Sequence, residues 1–139
     1  VGNLRPSFEP IIWCFKPYKI TIADNVIENE VGAYNEEAFI KYFNNPDNVL
    51  YCGMDKSEGG LHPAQKPLKL MKSLIELTTI EGHTVLDTFA GSGSTAIACI
   101  NTNRNFIGIE KDAGHYKTAL NRIEIEQAQT KLNLQEVTR

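Results

Sequence analysis

With 139 residues, 42 % hydrophobic and 22 % charged, the chain has a globular composition and room for one domain with a modest core. A formal net charge of −3 excludes a whole-chain basic field, so any nucleic-acid contact must rest on a local patch. Cys14, Cys52 and Cys99 show no C-x-x-C spacing, which points to reduced cytoplasmic thiols, and no apolar run approaches the roughly 20 residues of a membrane span.

Residues 8–16, FEPIIWCFK, are dense in β-formers and predict a buried strand with Trp13 in the core, despite Pro10 near its start. From Lys19 to Gly60 the pattern is irregular, with turn clusters at residues 44–48 and 57–60 and one short helix expected over Glu36–Phe43. A stretch of that length reads as a binding loop or an inserted recognition segment. Pro67 can open a helix whose apolar face is Leu68, Leu70, Met71, Leu74, Ile75 and Leu77, and Glu81-Gly82 closes that unit. A strand is predicted over His83–Asp87, a helix over Ser94–Asn101 and a second strand over Asn105–Glu110. A long helix over about Ala113–Leu132 follows, with Tyr116, Leu120 and Ile123 on one face. Ile125 and Leu132 lie off that stripe, and a homodimer contact is the expectation attached to them. Strand, turn, helix, strand, helix is a βαβα unit, for which a right-handed parallel arrangement is expected. The predicted division is a strand region at 1–18, an irregular recognition-like segment at 19–60 and a ligand-binding βαβα unit at 61–139.

The turn after the first predicted strand reads LDTFAGSGSTA, residues 86–96. Gly91-x-Gly93-x-x-Ala96 satisfies the dinucleotide fingerprint G-x-G-x-x-G/A, a weak signal by itself. A helix start offers unpaired N–H groups and partial positive charge, suited to a phosphate or a carboxylate. Asp87 stands four positions before Gly91 at the strand end, where its charge would repel a pyrophosphate but pair with an ammonium or sulfonium group. Glu110, 23 positions after Asp87, is placed to accept the hydroxyls of a ribose. No G-K-[S/T] follows the glycines, which disfavours a P-loop. S-adenosylmethionine (SAM) joins a ribose to an amino-acid end without phosphate and fits these residues better than NAD, although the loop spacing leaves both open.

Three blocks in order, HPAQKP (residues 62–67), VLDTFAGSGSTAIA (85–98) and FIGIEKDAGHYKTALNRI (106–123), resemble the DNA amino-methyltransferases that modify N6 of adenine or N4 of cytosine. The match is to the C-terminal portion of the subgroup whose catalytic motif precedes its cofactor motif, and FEPIIWCFKP is similar to the strand before its target-recognition region. The resemblance covers most of Arg5–Ile123. It implies an α/β fold, a Rossmann-like SAM-dependent methyltransferase fold with a parallel sheet flanked by helices, partial and lacking upstream strands. It also implies a cytoplasmic, bacterial or phage-encoded enzyme that binds SAM and double-stranded DNA, flips the target base and needs no metal.

Carried over by residue, the resemblance implies that Asp87, Thr88, Phe89, Ala90, Gly91, Ser92 and Gly93 line the methionine end of SAM and that Glu110 holds the ribose. His62, Pro63, Gln65, Lys66 and Pro67 would close over the cofactor from the other side. Thr88 replaces the more usual proline, a change expected to affect loop stiffness rather than chemistry. DNA contacts are assigned to Lys16, Lys19, Lys41 and Lys56, although each alone also reads as an ordinary surface lysine. The catalytic D/N/S-P-P-Y/F/W motif does not occur in the sequence; Asn45-Pro46-Asp47-Asn48 lacks its second proline and its aromatic. With Val1 as first residue, the expectation is a cofactor-binding part whose catalytic motif lies upstream, inactive alone. The competing readings are an NAD-dependent oxidoreductase fragment, which leaves HPAQKP unexplained, and a non-catalytic DNA-binding remnant of the same fold.

Overall fold

The computed structural model describes residues 8–14, 16, 19, 21–44, 48–60 and 64–137, and the chain divides into two compact units, Val1–Gly32 and Ala33–Arg139. In the first unit the regular element is α1, Ile22–Asn29, whose start is fixed by a reciprocal capping box between Thr21 and Asp24. Its buried residue is Asn25, which donates to the Val31 carbonyl at 2.6 Å and accepts from the Asn29 amide at 3.0 Å. The sequence reading left this helix inside the irregular segment, although Thr21 and Asp24 mark its start. The strand expected over residues 8–16 does not form among the described residues. Residues 8–14 are without regular structure and exposed, with Trp13 54 % accessible. Apolar β-formers become a strand only when a neighbouring edge pairs with them, and no described strand pairs there.

The second unit is built on the pattern predicted from residue 61 onward. α2, Glu36–Phe43, lies where expected and is capped by Asn35, whose side chain accepts the Ala38 N–H. It packs on α3, Leu68–Thr78, through buried Phe39, and Lys41 bridges to Glu76 at 3.2 Å. The predicted boundary at residues 60/61 is therefore crossed by helix packing. The turn cluster at 57–60 holds a short 3-10 helix, Lys56–Glu58.

β1, Thr84–Asp87, and β2, Asn105–Gly108, pair in parallel with α4, Ser94–Asn101, as the crossover. A parallel pair cannot be closed by a hairpin, so the helix between the strands is a topological requirement. α4 is buried from Ser94 to Cys99, because Ala96, Ala98 and Cys99 are small enough to admit α3 on one side and the sheet on the other. Ile75, Ala98 and Cys99 form the centre of the core, with Met71, Val85 and Phe106 packed around them. Arg104 ties the ends of α3 and α4 together, donating to the Thr79 hydroxyl at 3.1 Å, the Thr79 carbonyl at 2.8 Å and the Thr102 carbonyl. The last helix, α5, runs Ala113–Val137, five residues longer than predicted, and packs against α4 through buried Ala119.

Among the described residues of this unit, no element covers the side of the sheet opposite Val85 and Phe106. Leu86 and its register partner Ile107 are 60 % and 55 % exposed. Parallel sheets are ordinarily covered on both faces, so this apolar surface is unusual for the fold.

Burial raises the Cys99 thiol to about 11, whereas Cys14 is exposed. A thiol-specific disulfide reagent at neutral pH should therefore modify Cys14 in the native chain and Cys99 only after denaturation. Prompt native labelling of Cys99 would contradict the packing of α3 on α4.

Candidate cofactor site

The parallel register brings the two acidic residues to one end of the sheet. Asp87 ends β1 opposite Gly108, and the ladder continues beyond the strands: Ile109 N–H donates to the Asp87 carbonyl and Ala90 N–H to the Ile109 carbonyl, both at 2.9 Å. Glu110 thereby arrives beside the glycine turn. One of its carboxylate oxygens accepts the Gly91 N–H and the other the Asp112 N–H, each at 2.8 Å. Those two bonds, Asp112 first and Gly91 second, hold its carboxyl below the ordinary glutamate range. A carboxylate offers about four acceptor positions, more than these two bonds use.

Asp87 is fixed as firmly. Its Oδ1 accepts the Phe89 N–H at 3.0 Å and its Oδ2 accepts the Thr95 hydroxyl at 2.6 Å. The turn between them needs left-handed backbone at Gly91 and Gly93, with φ of 54° and 83°. Gly93 is doubly constrained, since a Cβ there would stand 3.0 Å from the Ala119 Cβ on α5. Ser92 is buried between these glycines, and Arg122 of α5 donates to its carbonyl at 2.6 Å and to its hydroxyl at 3.2 Å.

A cavity of about 390 Å³ opens in front of this loop. Asp87, Phe89, Ala90, Gly91 and Ser92 form one side, and Ala64, Gln65, Lys66 and Met71 the other. Ser94 and Thr95 line it at the start of α4. The Ser94 hydroxyl is the one buried side-chain polar atom among the described residues with no hydrogen-bond partner. With the uncapped start of α4 beside it, this hydroxyl marks where a polar ligand group would be satisfied.

Of the residues assigned from the sequence, Asp87, Phe89, Ala90, Gly91, Ser92, Gln65 and Lys66 surround this cavity, and Glu110 is bonded to its loop. Gly93 shapes the turn from behind, Thr88 is exposed, and Pro67 stands at the start of α3 without lining the cavity. His62 and Pro63 lie outside the described residues, as do Asn45, Pro46 and Asp47. Thr95, Arg122, Ser94 and Met71 were missed by the sequence reading. Thr95 and Ser94 sit one or two positions past the glycines, and only geometry shows that one serves Asp87 and the other the cavity. Lys16, Lys19 and Lys56 are exposed, whereas Lys41 has its charge matched by Glu76. No group of three or more metal-ligating side chains occurs among the described residues, and no helix there is long and apolar enough to cross a membrane.

The family model for DNA methylase (N6 and N4 amino-methyltransferases) matches residues 2–121. The chain belongs to this family. Among similar methylases, the type II methyltransferase M.HindIII of Haemophilus influenzae is 50 % identical over 135 residues, 91 % of this chain and 43 % of its own length. The DNA adenine methyltransferase YhdJ of Escherichia coli is 33 % identical over 135 residues, 85 % of this chain and 45 % of its own. The solved PvuII DNA methyltransferase, cytosine-N4-specific, superposes with a TM-score of 0.56 at 22 % identity over 63 % of this chain and 34 % of that one. That likeness is one of fold, and it identifies the parallel pair and its helices as part of a Rossmann-like methyltransferase sheet. The chain thus spans less than half the length of these methylase relatives.

Gly93→Ala should destabilise the chain by about 1–2 kcal/mol from backbone strain alone, with the Ala119 contact adding to it. Gly53→Ala, at a position with open space around it, should stay within about 0.5 kcal/mol. Urea unfolding compares the two, and equal effects would refute the loop geometry.

Proposed function

We propose that this chain is the cofactor-binding part of a DNA amino-methyltransferase that takes its methyl group from SAM and delivers it to N6 of adenine or N4 of cytosine. The observation that carries the reading is the pairing of two anchored carboxylates, Asp87 and Glu110, around one glycine turn in front of a partly apolar cavity. Asp87 would take the ammonium of the amino-acid end and Glu110 the ribose hydroxyls. Ser94 with the open start of α4 would take the carboxylate, and Gln65 and Lys66 would close the opposite side. For His62 and Pro63, outside the described residues, the family resemblance alone supports a part in cofactor binding. A pyrophosphate would face Asp87, which disfavours NAD. The cofactor supplies an electrophilic methyl on a sulfonium; the residues here bind and orient it and keep water from its inner side.

Transfer also requires a group that accepts the amino hydrogens of the target base, and no D/N/S-P-P-Y/F/W motif occurs in this sequence. In this reading the motif comes from polypeptide outside the 139 residues, and the bare Leu86–Ile107 face is where that polypeptide packs. Double-stranded DNA is the substrate, with Lys16, Lys19 and Lys56 as phosphate contacts and Lys41 only where Glu76 releases it. Ile125 and Leu132, half or more exposed on α5, are the residues a homodimer would bury.

Ligand binding to the native state raises the melting temperature. SAM or S-adenosylhomocysteine should raise that of this chain, NAD should not, and Asp87→Ala should abolish the shift. A shift with NAD and none with either SAM ligand would sink the proposal.

A further inference from the structure

Two charged side chains stand behind the cavity without lining it, one on each side. Arg122 holds the glycine turn by its two bonds to Ser92. Glu58 holds the other side. Its carboxylate Oε2 accepts the Leu68 N–H at 2.9 Å, and its carbonyl accepts the Gln65 side-chain amide at 3.2 Å. The remaining oxygen, Oε1, accepts the Asp55 N–H at 3.3 Å and closes the 3-10 turn.

This arrangement answers a local need. Pro67, at the N-cap position of α3, has no side chain that can accept a hydrogen bond, so the first turn of the helix begins uncapped. Glu58, ten residues before Leu68, supplies both the acceptor and the negative charge that a helix start favours. Gln65 is one of its two points of attachment to this segment and Lys66 lies between that point and Leu68; both line the cavity. Burial lowers the pKa of Arg122, while the charges of Glu58 and Glu126 act in the opposite direction, so the groups behind the two sides also attract each other.

We propose that Glu58 is a positioning residue for the cofactor pocket: it fixes the Gln65–Lys66 side against the loop that Arg122 holds, and so sets cofactor affinity without touching the cofactor. The residue comes from the segment read as recognition-like, and its turn carries exposed Lys56, so the DNA-side segment and the cofactor side share one anchor. The inference rests on the SAM reading of the cavity.

Calorimetric titration of the 139-residue chain with S-adenosylhomocysteine, well below its melting temperature, tests it. A helix cap of ordinary strength corresponds to about a fivefold to tenfold change in affinity when its loss falls on the bound state. Glu58→Ala should weaken binding by about that factor. Both variants keep the main-chain carbonyl that accepts from Gln65; Glu58→Gln also keeps one side-chain acceptor for Leu68, and should weaken binding only about threefold. Glu76→Ala breaks the Lys41 ion pair at the far end of α3, and should leave affinity unchanged whatever it does to stability. If Glu58→Ala fails to fold, Glu58→Gln carries the test alone. Wild-type affinity in the folded Glu58 variants would overturn the positioning role and leave the cofactor reading intact. An absence of binding by the wild-type chain would overturn both.

Discussion

Two backbone hydrogen bonds beyond the ends of the paired strands, Ile109 to Asp87 and Ala90 to Ile109, carry the parallel register of β1 and β2 into the glycine turn. The glycine-turn side of the site follows from that register. It sets Asp87 opposite Gly108, places Glu110 two residues further on beside Gly91, and leaves the turn no route except the left-handed one that Gly91 and Gly93 permit. A slip of one residue would turn Asp87 to the other face of the sheet and separate the two carboxylates. The core exists to hold this register. Ile75, Ala98 and Cys99 clamp α4 between α3 and the strands, and α4 begins where the turn ends.

The turn is then held from three directions by groups of different chemistry. Glu110 takes a backbone N–H from the front, Arg122 takes a carbonyl from behind, and Thr95 fixes the Asp87 carboxylate from the first turn of α4. Such a loop is set before any ligand arrives, so binding energy is not spent on ordering it. The opposite side, Ala64 to Met71, belongs to a different element and is anchored separately through Glu58. The cavity is therefore a meeting of two sides with separate hydrogen-bond anchors, one from the sheet end and one from the start of α3.

Much of this was legible in the residues. The helix Ser94–Asn101 was placed to the residue and one near Glu36–Phe43 was anticipated, because apolar periodicity and turn chemistry agree there, and Asp87 and Glu110 stood out as acidic residues at the ends of the two predicted strands. What stayed hidden depends on partners distant in sequence. Arg122 meets Ser92 across 30 positions and Glu58 meets Leu68 across ten, and no local pattern marks either pair. FEPIIWCFK failed in the opposite direction. Its composition suits a strand, but no described strand edge is paired with residues 8–14, and they remain exposed. The same explanation applies to Leu86 and Ile107, whose apolar face has no layer over it. Sequence records a capacity for burial, and only the assembled sheet decides whether the capacity is used.

In the proposed function, the glycine turn and the Gln65–Lys66 segment are two sides of one pocket for SAM. Amide chemical shifts of the isotopically labelled chain, followed while S-adenosylhomocysteine is added, test it most directly. Shifts are expected at Phe89–Gly93, at Asp112 and at Gln65–Lys66 together, saturating at one ligand concentration, with none of them produced by NAD. Shifts confined to one side, or the same set produced by NAD and not by S-adenosylhomocysteine, would contradict it.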